Sequence, residues 1–312
     1  MAHTEYARVQ AAIEPGDRTA DRPPARMFNL FRSQRRAALR KEPLTTAERA
    51  ILDRNVSYLA KLGAADRQEL DGLVQVFLAE KSFEGCGGLE LTEEMKVTIA
   101  AEACLLLLHR ETDIYPDVEA ILVYPTAYLA PSKRSAGGVV VEGEQARLGE
   151  SWTRGVVVLA WDHVKHGGTQ PGDGQNVVLH EFAHQLDSED GSMDGAPDLG
   201  ARARYTSWAR VLGKEFDELS ARIHAGRSGD IDAYGATNPA EFFAVVTEMF
   251  FEKSLALRPP ISTQVLAVLV PRAWLWVWQS QGQPLARCEV GRLRRALRWP
   301  QGWRSRRVRR AS

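Results

Sequence analysis

Cysteine is scarce in this chain of 312 residues. There are three, Cys86, Cys104 and Cys288, an odd number with no pair at C-x-x-C spacing. That argues against a disulfide scaffold and a cysteine-ligated zinc site, and fits a reducing compartment. Net charge is lacking too, with 40 basic residues against 40 acidic ones, so no global field draws the protein to nucleic acid or membrane. No apolar run approaches the ~20 residues that a spanning helix requires; the longest, Cys104 to Leu108 with its neighbours, is far shorter. The opening residues, Met1-Ala2-His3-Thr4-Glu5-Tyr6, show no basic stretch followed by an apolar one. No secretory leader is read there, and the expected location is cytoplasmic. Histidine is also rare, with seven in all, so two of them grouped together carry information. The rest is an ordinary soluble composition, 44% hydrophobic and 26% charged, with chain enough for one large domain or two smaller ones.

The grouped histidines lie in Val177-Val178-Leu179-His180-Glu181-Phe182-Ala183-His184-Gln185-Leu186-Asp187, which contains His-Glu-x-x-His. On a helix, residues four apart lie one turn apart on one face. His180 and His184 can therefore aim two imidazoles at one point, as a tetrahedral Zn²⁺ site needs. Glu181 stands beside the first ligand, where it can act on a water at the metal. The apolar neighbours predict a buried helix. A core helix with two hydrogen-bonded histidines is the bland alternative.

In chain order, residues 1–42 are polar, with Pro15, Pro23, Pro24 and several arginines, and read as a flexible N-terminal arm. Helical spacing begins at Leu44, with Thr45 as N-cap and Glu48 completing a capping box. Further helices are expected over about 65–81, with Leu70, Leu73, Val74 and Phe77 on one face, and over 92–110. Residues 85–88 read as a turn. Strands are expected at 120–125, 138–141 and 155–161, the last buried on both faces. Residues 162–174 read as a Gly-rich loop whose His163 and His166 are exposed rather than ligating. The acidic loop 188–198 does not fit an EF-hand. A helix over 201–225 follows. The chain thus reads as α+β, mainly helical with a small sheet.

A catalytic zinc needs a third protein ligand. A histidine six residues past the second motif histidine would be one solution, but that position is Asp190. The other solution is a glutamate on a later helix. Asn238-Pro239-Ala240-Glu241 opens one, with Asn as N-cap and Pro at N1, and Phe242, Phe243, Val245, Val246, Met249 and Phe250 make it apolar. Glu241 and Glu248 share a face of it. Glu241 is the leading candidate, although at N3 it can also complete a capping box. Glu248 is the reserve ligand or a partner of one. Upstream, Tyr234 can donate its hydroxyl to an oxyanion, or it is a packed loop aromatic.

The combination of His180-Glu181-Phe182-Ala183-His184-Gln185-Leu186-Asp187, Asp232-Ala233-Tyr234 and Asn238-Pro239-Ala240-Glu241-Phe242-Phe243-Ala244 resembles the Mlc titration factor A family of zinc peptidases. Similarity runs from about Leu44 to Leu285. The resemblance implies a zincin-like (gluzincin) domain over 43–285, similar to the anthrax lethal factor catalytic domain. It implies zinc held by His180, His184 and Glu241, with Glu181 as general base and Tyr234 as transition-state donor. It also implies cytosolic, aminopeptidase-like activity on peptide or protein substrates. The family's founder binds the glucose repressor Mlc and removes it from DNA, so a repressor protein is an expected partner.

Residues 262–279 read as a last helix broken or kinked by Pro271, and 286–312 as a basic, disordered C-terminal tail. Nucleic acid is expected as a partner only through that arginine tail, and membrane not at all. A regulatory protein that sequesters a repressor, with its zinc site secondary, is the rival reading.

Overall fold

The computed structural model describes residues 25–110, 113–136, 139–147, 149–152, 155–199, 202–253 and 256–257. The expectations for residues 1–24, for the helix at 262–279 and for the tail at 286–312 lie outside the described residues.

The first helix, α1 (Ala25–Leu39), falls within the segment expected to be a flexible arm. Charge holds it in place. Arg36 donates two guanidinium hydrogen bonds of 2.6 Å to the Glu80 carboxylate and another to Asp113. Arg32, one turn earlier, reaches the same two carboxylates at 3.2 and 3.3 Å. A planar guanidinium fork matches a carboxylate at two points, which makes this stronger than a simple surface pair. The acids lie 44 and 77 residues downstream of Arg36. Local sequence therefore shows a run of arginines and not their partners.

Helix α2 (Thr46–Asn55) begins at the expected capping box, in which Thr45 Oγ1 accepts the Glu48 N–H and the Glu48 carboxylate accepts the Thr45 N–H. A short 3₁₀ turn at Ser57–Lys61 leads to α3 (Ala64–Glu80), which buries Leu70, Leu73, Val74 and Phe77 as its spacing predicts. Helix α4 (Glu93–Leu105), capped by Thr92, is buried along almost its whole length and stops short of the expected Arg110.

The sheet has four strands in the order β1-β2-β6-β5. Strands β1 (Ser82–Gly85), β2 (Ala120–Tyr124) and β6 (Val156–Ala160) run parallel, and β5 (Gly149–Trp152) closes the edge antiparallel to β6. All five residues of β6 are buried, which explains its unbroken apolar run. Strand β1 was not expected. Its four residues, Ser-Phe-Glu-Gly, are too few and too mixed to show a period, and only pairing with β2 makes them a strand. Strands β3 (Tyr128–Ala136) and β4 (Val139–Arg147) form a separate hairpin where one strand was expected.

Helix α5 (Trp161–Thr169) corrects the expected loop at 162–174. Its glycines serve close approach rather than freedom. A Cβ at Gly168 would sit 2.2 Å from the Asn55 carbonyl oxygen and 2.4 Å from Glu102 Oε1. Helix α6 (Val177–Asp187) follows, capped by Asn176, whose Oδ1 accepts the Leu179 N–H at 2.9 Å. Helix α7 (Arg202–His224) and a 3₁₀ turn at Ala233–Ala236 precede α8 (Pro239–Glu252), capped by Asn238 and buried from Phe242 onward. Phe182 anchors α6 in the core, with ring centroids 5.7 Å from Phe77 and 4.7 Å from Tyr115.

The loop entering α6 is tied to the end of α8. Gly172 donates its N–H to one oxygen of Glu252, and Tyr58 donates its hydroxyl to the other. Burial pushes the Glu252 carboxyl up to about 7 from an ordinary value of 4.5, against the amide donors of Gly172 and Gly174 and the charge of Lys253. Between those values the folded chain keeps a proton that the unfolded chain has released. Stability therefore falls as pH rises through this window and levels off above it. Glu252→Gln has no such proton to lose. In urea titrations at about pH 5 and about pH 8, the variant should lose less stability on going to the higher pH than the wild type, by a few kcal/mol. Identical changes in the two proteins would mean that Glu252 ionises as it does in water.

Candidate metal centre

Helix α6 presents His180 and His184 on one face, one turn apart. Helix α8 brings Glu241, from its first turn, across that face. Three atoms converge there. The two imidazole Nε2 atoms are 3.2 Å apart, and Glu241 Oε2 lies 3.1 Å from His180 Nε2 and 3.2 Å from His184 Nε2. This is the single group among the described residues whose ligand atoms could share one ion. Donors at ~2.0–2.1 Å around a tetrahedral zinc stand about 3.3 Å from one another. The three atoms therefore need only to spread slightly around an ion.

Electrostatics points the same way. Burial works against a charge on His180, but hydrogen bonds to Glu241 and Glu248 and the nearby charge of Glu181 win, so its pKa rises well above the usual value. Burial would raise the Glu241 carboxyl, yet the two histidines hold it far below the usual range. Both shifts mark a site whose acids call for positive charge. A divalent cation would fit that place.

The outer contacts fix the orientation. Glu248 Oε1 lies 2.6 Å from His180 Nδ1, and Glu248 Oε2 accepts the Asn176 N–H at 2.7 Å. With Nδ1–H committed to a carboxylate, His180 turns its Nε2 lone pair toward the cluster. Glu248 thus stands behind a ligand histidine, the second of the two places considered for it. Glu241 does receive the N-cap bond expected at N3, since Asn238 Oδ1 accepts its N–H at 2.9 Å. Its carboxylate, however, faces the imidazoles.

Glu181 is 5% exposed and follows His180 directly. Tyr234 lies on the 3₁₀ turn before α8, 48% exposed, with its ring 5.9 Å from that of His180. Asp187 is fully buried, its Oδ2 accepts the Gly195 N–H at 2.9 Å, and it is not in the cluster. His166 pairs with Asp173 at 2.7 Å in an exposed position, and His163 lies beside Asp162; neither is in the cluster. Two supports escaped the sequence reading. Asn176 caps the metal helix, and an Asn directly before an apolar-periodic run is a legible N-cap signal. Gly195 left no local signal. A Cβ there would meet the Pro239 carbonyl oxygen at 2.3 Å, so its bareness lets α8 approach and sets where Glu241 stands.

Two imidazoles one turn apart and a carboxylate from a second helix form a group that could hold a metal ion, with a glutamate beside the first imidazole. The chain belongs to the glucose-regulated metallo-peptidase M90 family, whose family model matches residues 30–264. It is similar to an uncharacterized protein of Synechocystis sp., with 43% identity over 226 residues, covering 72% of this chain and 82% of that protein. It is also similar to the Mlc titration factor A of Yersinia pestis (strain Pestoides F), with 31% identity over 201 residues, 63% of this chain and 73% of that one. The Mlc titration factor A of Yersinia pseudotuberculosis (strain YPIII) matches to the same extent.

Glu248→Ala releases His180 without removing a donor from the cluster. Metal affinity, measured by chelator competition, should drop by about 10–100-fold. Unchanged affinity would mean that the Glu248–His180 contact does not orient the ring.

Proposed function

We propose that the chain is a zinc-dependent peptidase with aminopeptidase-like preference. The observation that carries this reading is the convergence of His180 Nε2, His184 Nε2 and Glu241 Oε2 within 3.2 Å of one another, with Glu181 buried beside them. A zinc ion held there supplies Lewis acidity toward a peptide carbonyl and makes water nucleophilic at neutral pH. Glu181 takes a proton from the attacking water and delivers it to the departing amine nitrogen. Tyr234, close to His180 on a turn open to solvent, donates its hydroxyl to the carbonyl oxygen as that atom gains charge. Glu248 holds His180 in register throughout. The helical frame around a small sheet supports the likeness to the lethal factor catalytic domain.

No described helix is long and apolar enough to cross a membrane. We place the enzyme in the cytoplasm, in keeping with its three cysteines, of which Cys86 and Cys104 form no disulfide. Two of the relatives carry the name Mlc titration factor A, which favours a second reading, that the chain binds a repressor protein as partner. Peptidase action and repressor binding can coexist. A pull-down with Glu181→Gln separates them, because a pure binder is indifferent to that change whereas a protease can trap its substrate with it.

Chromogenic aminoacyl and peptide substrates, offered to wild type and Glu181→Gln at equal zinc content, test the peptidase. The variant should lose 10²–10⁴-fold in hydrolysis, as roughly expected for a missing general base, while keeping its zinc. Equal turnover by both proteins would remove Glu181 from the mechanism. Hydrolysis restricted to substrates blocked at the amino end would overturn the aminopeptidase-like preference.

A further inference from the structure

His180 has a carboxylate behind it. His184, the other histidine of the centre, shows no such partner, although it is the more buried of the two, with 7% of its side chain exposed against 12%. Its Nδ1 is buried and without a hydrogen bond. A buried ring N–H left unpaired costs about 1–3 kcal/mol. One turn further along α6, Asp187 is fully buried, and its Oδ1 is likewise buried without a partner. The other oxygen of Asp187 is fully used, accepting the N–H groups of Gly195 and Ala196. A donor and an acceptor, each orphaned, thus stand three residues apart, where side chains on one helix face meet.

We propose that Asp187 is the positioning residue of His184. Its Oδ1 accepts the Nδ1–H of His184, directly or through one buried water, and so presents the Nε2 lone pair to the metal. This rests on the reading of His180, His184 and Glu241 as a metal centre. Asp187 is not itself a ligand, because its Oδ2 is bound to backbone amides on the far side.

The same carboxylate reaches a second ligand. The loop that Asp187 holds at Gly195 packs against the Pro239 carbonyl through the missing Cβ. Pro239 opens the helix whose first turn carries Glu241. Asp187 therefore braces His184 by one oxygen and the approach of Glu241 by the other. Glu248 on α8 and Asp187 on α6 then form a matched pair, one acid behind each histidine.

Asp187→Asn separates these roles. Its amide carbonyl can still accept from Gly195 and Ala196, which leaves an NH₂ group facing His184. The expected result is a 10–100-fold loss of zinc affinity by chelator competition, with little change in thermal unfolding of the metal-free protein. In ¹⁵N NMR of the zinc-loaded protein, the His184 Nδ1–H should be resolved as a slowly exchanging ring proton, and in Asp187→Asn that signal should be lost or shifted. Zinc affinity within twofold of wild type together with an unchanged His184 Nδ1–H signal would overturn the proposal. A zinc-loaded wild type whose His184 Nδ1–H exchanges with solvent as freely as that of an exposed ring would overturn it as well, and that reading stands even if the variant does not fold. The metal-centre reading fails separately, through wild type that takes up no zinc or Glu241→Ala that binds it undiminished.

Discussion

Three lone pairs held within 3.2 Å of one another in a nearly dry site repel unless something positive stands between them. The rest of the structure makes that arrangement unavoidable. Two of the three atoms come from one helix, where the spacing costs nothing beyond forming the helix. The third comes from a chain segment about sixty residues later, and most of the fold serves to bring it there. The two histidines hold the Glu241 carboxyl below its ordinary range, and the acids around His180 hold its imidazole above its own.

The two helices that carry the donors are fixed by different forces. Helix α6 is pinned in the core by Phe182 among Phe77 and Tyr115, and its N-terminus is closed by Asn176. Asn176 also donates to Glu248, so one residue joins the start of the histidine helix to the acid that orients its first ligand. Helix α8 is held by an apolar body, with Phe242 and Phe243 packed on Phe216 and Trp208. Its N-terminus is set by contact with Gly195, a residue whose carbonyl accepts the indole N–H of Trp208. Precision at the centre thus comes from well-packed helices on both sides rather than from loops.

What was legible in the sequence followed from range. His180, Glu181 and His184 belong to one helical turn, so their chemistry is visible in five residues. The helix opened by Asn238 and Pro239 was equally legible, because caps and apolar periodicity are local. That Glu241 meets both imidazoles while Glu248 meets His180 from behind was left open, since it depends on how α8 crosses α6. Strand β1 and helix α5 went unread for opposite reasons. The strand exists only through its pairing with β2, and the helix hides behind glycines that read as loop but are demanded by the contact of Gly168 with Asn55. Helix α1 was read as a free arm because its arginines find Glu80 and Asp113 only once the chain is folded.

The central claim is that these three side chains hold a single zinc ion. Zinc K-edge X-ray absorption on the zinc-loaded full chain, with metal stoichiometry measured on the same sample, tests it most directly. The account predicts one zinc per chain, surrounded by two imidazole nitrogens and by oxygen donors with no sulfur. No uptake of zinc, or a first shell lacking the two imidazoles, would contradict it.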